Sequence, residues 1–176
     1  MDREAIEEYR RERDAFLRSH YSSPLPDEDQ EAFDGLSYFS PDSSMVFTGA
    51  FSHSDDSRIQ IVSSAGTTSA YHQMGVLRVG IAGSVYNLIV LDDGDGNPFI
   101  AFGDTTNGDT TYGGGRYVSL ELAQDGSGSI DFDLASNPYC VYDEEFVCPL
   151  PPPDNRISVP IEAGEKMYEK IVDGKS

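Results

Sequence analysis

From Ser43 onward the chain repeats one pattern: short runs of β-branched and aromatic residues, each stopped by Gly, Asp, Ser or Asn before a helix can complete. Such runs read as strands, and they fall at 44–53, 57–64, 69–82, 84–91, 98–103, 117–123, 128–134 and 156–162. Strands with no helix between them cannot make the crossovers of a parallel sheet, so the sheet is expected to be antiparallel and to curl or double over to bury one face. The fold class is mainly β, a single antiparallel β-barrel or sandwich. Apolar residues alternate within the runs: Leu77, Val79 and Ile81 share a face, as do Val118, Leu120 and Leu122, and Ile130, Phe132 and Leu134. A strand turns successive side chains to opposite faces, which assigns these residues to the core. Tight connections such as "QDGSG" at 124–128 make sequence neighbours hairpin neighbours.

Before this region, Ile6, Tyr9, Arg13, Phe16 and Leu17 recur at steps of three and four, which predicts an N-terminal amphipathic helix over 2–18 with acids in its first turns. Pro24 and Pro26 end it, and the acids after Pro26 suit a second short helix that Phe33 anchors. The whole chain, 1–176, is read as one domain: an N-terminal helical segment (1–35), a β core (43–134), and a Cys/Pro-rich strap with the last strand (137–165).

With 31 acidic against 12 basic residues, the formal charge is −19, and a surface of that sign repels phosphates. Nucleic acid and anionic membrane are therefore excluded as partners. The acidity reads either as a solvated surface adapted to high salt (halophilic adaptation) or as a cation-binding surface, and the spread of the acids along the chain favours the first. The start "MDREAIEEYRRERD" lacks the basic and apolar regions of a signal peptide. The longest weakly polar run, 79–91, falls short of the ~20 residues that span a bilayer. These features predict a soluble, cytoplasmic protein; the oligomeric state is left open.

Two segments, "FGDTTNGDTTYGGGRY" (102–117) and "DFDLASNPYCVYDEEFVCPLPPPDNRISVPIEAGE" (131–165), resemble the signature of the DUF1684 family, prokaryotic proteins without an assigned activity. The resemblance rests on Phe102, Asp104, Thr106, Gly108, Thr111, Tyr112, Gly115, Arg116, Tyr117, Asp131, Phe132, Asn137, Pro138, Cys140, Cys148, Pro149, Asn155, Ala163, Gly164 and Glu165. "SPL" at 23–25 and "FDGLSYF" at 33–39 extend it over nearly the whole chain. Asp133, Ser136, Ile157 and Thr110 depart from the family pattern. The resemblance implies no particular function.

Cys140 and Cys148 admit several readings. They are structural or redox-linked thiols, or a disulfide closing a short loop for about 2–3 kcal/mol. Zinc would need further ligands, and His20, His53 and His72 lack metal-site spacing. A nucleophilic cysteine would need a base such as His72 and an orienting amide from Asn137 or Asn155. Pro149, Pro151, Pro152 and Pro153 stiffen the segment into a strap across the sheet, with the cysteines pinning one end and Asn155 tying the other.

The glycines at 113–115 allow a tight corner before Arg116, whose guanidinium needs a carboxylate from Asp104 or Asp131. Arg116 is read either as a clip holding loop to sheet or as part of a ligand site formed by Asp104, Tyr112, Arg116, Asp131, Asn137, Asn155 and Glu165. The alternation Asp93, Asp95, Asn97 with Asp104 at the twelfth position echoes a calcium loop, but Pro98 stands at the sixth place and no helix flanks it. No cofactor is predicted, with zinc and calcium as minor alternatives and no metal ligands assigned. The leading expectation is a small-molecule-binding or structural β module; the alternative is a hydrolase-like enzyme using a cysteine or metal near Cys140 and Cys148.

Overall fold

A computed structural model of the protein describes residues 2–170. The first helix, α1 (Arg3–Ser19), begins at Asp2, whose carboxylate accepts from the Ala5 N–H at 2.9 Å and satisfies one of the open donors of the first turn. Ile6 and Leu17 are its buried residues. Leu17 joins Leu25, Phe33 and Tyr142 in a small apolar cluster, so the helix packs outside the sheet against the strap. A four-residue helix, α2 (Asp27–Gln30), follows Pro26.

Seven strands form one antiparallel sheet: β1 (Val46–Val62), β2 (Thr68–Ile81), β3 (Ser84–Asp92), β4 (Pro98–Phe102), β5 (Arg116–Ser119), β6 (Glu121–Leu122) and β7 (Ser127–Asp131). Their spatial order is β5-β4-β3-β2-β1-β7-β6. β5 and β6 are therefore the two edges of the sheet, yet only Leu120 separates them in sequence. One residue spans at most about 3.5 Å, so the two edges must lie side by side. The sheet has curled into a nearly closed barrel.

Leu77, Val79, Ile81, Leu88, Val90, Ile100, Phe102, Val118, Leu120, Ile130 and Phe132 fill the interior, as the period-two pattern predicts. Each such side chain contributes about 1.5–3 kcal/mol by leaving water. Two of the expected core positions lie elsewhere. Leu122 is 41% exposed, because β6 is a two-residue edge strand with nothing packed over it. Leu134 leaves the interior because Phe132–Leu134 is a 3-10 turn, capped by the Asp131 carboxylate, and the alternation stops there.

The strand pattern also needs correction. The segments 44–53 and 57–64 are one long strand interrupted by a bulge between His53 and Ser57. The expected last strand, 156–162, does not form; only Arg156 makes an isolated bridge, parallel to Gly103. The segment is tied to the sheet at its start by Asn155 instead. β3 and β4 pair at Asp92 with Pro98 and at Leu91 with Phe99; two residues further along that register, Ile89 and Ala101 make no direct pair. Asn155 fills the gap: its Oδ1 accepts from the Ile89 N–H at 2.6 Å, and its Nδ2 donates to the carbonyls of Ile89 and Ala101 at 2.9 and 2.8 Å. One side-chain amide thus replaces a rung of the ladder.

The strap runs from there along the sheet's outer face, where Ser63 bridges Pro149. The glycine corner meets it at Gly115, whose φ is +85° and where a Cβ would come within 2.5 Å of both the Phe102 carbonyl and Pro151. Only glycine fits.

Candidate functional site

The site is built on a knot around two buried ions. Arg116 opens β5 and turns inward, and Asp104 follows β4. Arg116 Nη2 donates to Asp104 Oδ2 at 3.1 Å and to the Ile161 carbonyl at 2.7 Å; Nη1 donates to the carbonyls of Ala163 and Glu165. Asp104, not Asp131, is therefore its carboxylate. Asp131 sits at the end of β7, where its Oδ1 accepts from the Asp133 N–H. Burial pulls the guanidinium's pKa below its ordinary value, and Asp104 opposes that shift. Asp104 Oδ1 in turn accepts from Thr106 N–H, the Thr106 hydroxyl and the Ile161 N–H. The knot draws residues 161–165 under the barrel rim.

That placement delivers Glu165 to the helix. Its Oε1 accepts from Arg13 Nε of α1 at 3.0 Å, and its Oε2 accepts from the Asn137 N–H at 2.7 Å and the Tyr142 hydroxyl at 3.1 Å. Burial opposes the charge on Arg13, but Glu165, with Tyr142 and Tyr9, raises the Arg13 pKa above its ordinary value. For Tyr142, burial and then Glu165 push the phenol pKa well up, so it stays a neutral donor.

Between α1, the outer face of β4 and β5, and the strap lies a cavity of about 600 Å³, within the size range of small-molecule sites. On β4, Ile100 and Phe102 point into the barrel while Phe99 faces this cavity; on β5, Tyr117 does the same. Phe99 and Tyr117 lie with ring centroids 5.1 Å apart, and Tyr139 meets Phe146 edge-on at 5.5 Å. Tyr117 donates its hydroxyl to the Pro149 carbonyl at 2.7 Å, which holds the strap as one wall. Arg13 lies over the Tyr139 ring at 5.8 Å from its centroid. Asn137, which lines the cavity, is 2% exposed; its Nδ2 donates to the Lys166 carbonyl, whereas its Oδ1 is buried with no hydrogen-bond partner.

Of the site residues singled out from sequence, Asn137 and Cys148 line this cavity. Arg116, Asp104, Asn155 and Glu165 are buried behind its walls, and Tyr112 faces a different cavity beside Cys140. Tyr9, Arg13, Tyr71, Phe99, Tyr117, Tyr139 and Phe146 were not picked out as site residues. One signal was present: the strands β4 and β5 each place an aromatic residue, Phe99 and Tyr117, on the face away from the core, where a solvated position would be polar. Aromatic residues on both faces mark a second covering layer.

The other candidate chemistries are not assembled. Asp92 and Asp93 accept from amides of their own turn, at Gly94, Gly96, Asp95 and Asn97, and Asp104 is held by Arg116. His20 stacks on Phe16, His53 sits edge-on to Phe51, and His72 hydrogen-bonds Asp92 at 3.2 Å. Among the described residues, no three His, Cys, Asp or Glu side chains converge where they could hold a metal ion. Both cysteines are free. No helix among the described residues is long and apolar enough to cross a membrane.

With this geometry in hand, comparison with known proteins places the chain. The family described as "Protein of unknown function (DUF1684)" matches residues 31–166. The chain belongs to the DUF1684 family. The matched region includes Asp104, Arg116, Asn137, both cysteines, Asn155 and Glu165, so the buried knot, the dithiol and the strap all lie within the family's shared span. Helix α1 lies outside that span and supplies one wall of the cavity. An uncharacterized protein of Haloarcula marismortui, solved by NMR in solution, is similar in structure with a TM-score of 0.70 at 31% identity, covering 93% of this chain and 92% of that one. No curated protein matches.

Proposed function

We propose that this DUF1684 protein is a small-molecule-binding β module, and that its ligand occupies the aromatic-walled cavity between α1 and the outer face of the barrel. One observation carries the reading: Asn137 lines that cavity and its Oδ1 is a buried acceptor without a hydrogen-bond partner. A buried acceptor without a donor costs about 1–3 kcal/mol, and a ligand N–H or O–H would recover it. The ring faces of Tyr71, Phe99 and Tyr117 suit a planar, largely apolar body. In this reading Asn137 touches the ligand, while Glu165, Arg116, Asp104 and Asn155 hold the walls that position it. The high acid content keeps the surface hydrated in a cytoplasm of high salt, a setting that also suits two free thiols.

Indole tests this, because it presents a planar apolar body with a single N–H. Titration of isotope-labelled protein is expected to shift backbone signals at Tyr71, Phe99, Asn137 and Phe146. 1-Methylindole, which lacks the donor, is expected to bind about fivefold more weakly, the worth of one net hydrogen bond. Equal affinity for the two, or shifts scattered over the surface, would overturn the reading.

A further inference from the structure

Cys148 lines the ligand cavity and Cys140 the neighbouring one, but the ligand reading assigns no chemistry to either thiol. Cys140 is only partly covered and faces a second cavity of about 450 Å³, shared with Ser64, Tyr112, Glu144 and Lys170; Cys148 is buried. The 3-10 turn Tyr139–Val141 folds the chain back so that the Cys140 N–H donates to Cys148 Sγ at 3.3 Å. Ser64, just past the end of β1, clamps Cys148 on both sides: its N–H donates to the Cys148 carbonyl at 2.8 Å, and its hydroxyl accepts from the Cys148 N–H at 3.0 Å. Ser64 and Tyr112 line the same cavity as Cys140.

The geometry points to a thiol–disulfide exchange site in which Cys140 is the attacking sulfur, reached from the 450 Å³ cavity, Cys148 is the resolving sulfur, and the co-substrate is a low-molecular-weight disulfide. In the first step the Cys140 thiolate attacks one sulfur of the small disulfide; an S–S bond forms at Cys140 and the other half leaves as a thiolate. In the second step Cys148, giving up its proton, attacks the Cys140 sulfur, and the second half leaves as a thiol. Two protein thiols are oxidised to one intrachain disulfide, and one small disulfide is reduced to two thiols. Excess small thiol reverses both steps.

The electrostatics agree. Donation from the Cys148 thiol, reinforced by Ser64 and Tyr112, holds Cys140 down at about 6 against the opposing effect of burial, so it is ionised at neutral pH. Cys148 is pushed up, first because its proton is engaged by Cys140 and then by desolvation. It is therefore the protonated partner that waits.

The test uses 2-hydroxyethyl disulfide, a neutral probe that the protein's charge of −19 does not repel. Mass spectrometry of reduced full-length protein is expected to end at the loss of two hydrogens, with Cys140 linked to Cys148. Cys148→Ser should stop at a mixed disulfide on Cys140, and Cys140→Ser should react at least about tenfold more slowly. A measurement free of variants is iodoacetamide labelling of the wild-type protein with peptide mapping. Cys140 should be labelled at least about tenfold faster than Cys148, with a midpoint near pH 6. Equal labelling, Cys148 reacting first, or two thiols inert in the folded chain would overturn the proposal. Because the probe is not a planar N–H donor, failure here leaves the indole result untouched, and the reverse also holds.

Discussion

Arg116 Nη2 and Asp104 Oδ2 meet at 3.1 Å, with both side chains wholly shielded from water. The pair bridges the barrel to the returning 161–165 segment through main-chain carbonyls, so its importance lies in what it organises. Removing one partner leaves a buried charge without compensation, and Asp104→Asn or Arg116→Met is expected to destabilise by about 3–5 kcal/mol in urea unfolding. The double variant should cost less than the sum of the two. Arg116→Lys should not rescue, because one ammonium cannot reach the Asp104 carboxylate and three carbonyls together. Strict additivity would show that the pair does not act as a unit.

Asn155 stands in for a missing rung between β3 and β4. Asn155→Ala strands the Ile89 N–H and the carbonyls of Ile89 and Ala101, for an expected loss of about 2–4 kcal/mol. Hydrogen exchange gives a local readout: the Ile89 amide should exchange at least about tenfold faster if the side chain is its partner. Unchanged protection there would mean that β3 and β4 close up without it.

The β2–β3 hairpin turns on Ala82 and Gly83, with φ of +49° and +82°. Ala82 is the only described non-glycine residue with positive φ, a conformation that costs about 1 kcal/mol for a residue with a Cβ. Asparagine tolerates it best in this turn type, so Ala82→Asn is expected to stabilise by about 0.5–1 kcal/mol, read as a higher Tm. A lower Tm would place the strain elsewhere.

A charge of −19 on 176 residues repels itself. Screening weakens that repulsion once the Debye length falls to about 10 Å, near 0.1 M salt. Thermal melts in increasing KCl should show Tm rising by several degrees, while an uncharged osmolyte at equal osmolality should not reproduce the gain over the low-salt range. A Tm indifferent to KCl would exclude self-repulsion as a term in stability.

By itself the sequence determined whatever depends on neighbours a few residues apart. The 3.6-residue spacing of Ile6, Tyr9, Arg13 and Leu17 set the helix, and the alternation through Leu77, Val79 and Ile81 set which face is core, because Cβ direction repeats with the local backbone. The stiffness of the proline strap and the role of Asn155 as its tie were legible for the same reason. Tertiary structure alone decided the rest: that Arg116 takes Asp104 over Asp131, that the Asn155 side chain bridges Ile89 and Ala101, and that α1 and the strap enclose aromatic rings on the barrel's outer face. Those outcomes hang on where the curled sheet brings its edges together. Periodicity carries no record of that closure, since it relates residues far apart in the chain.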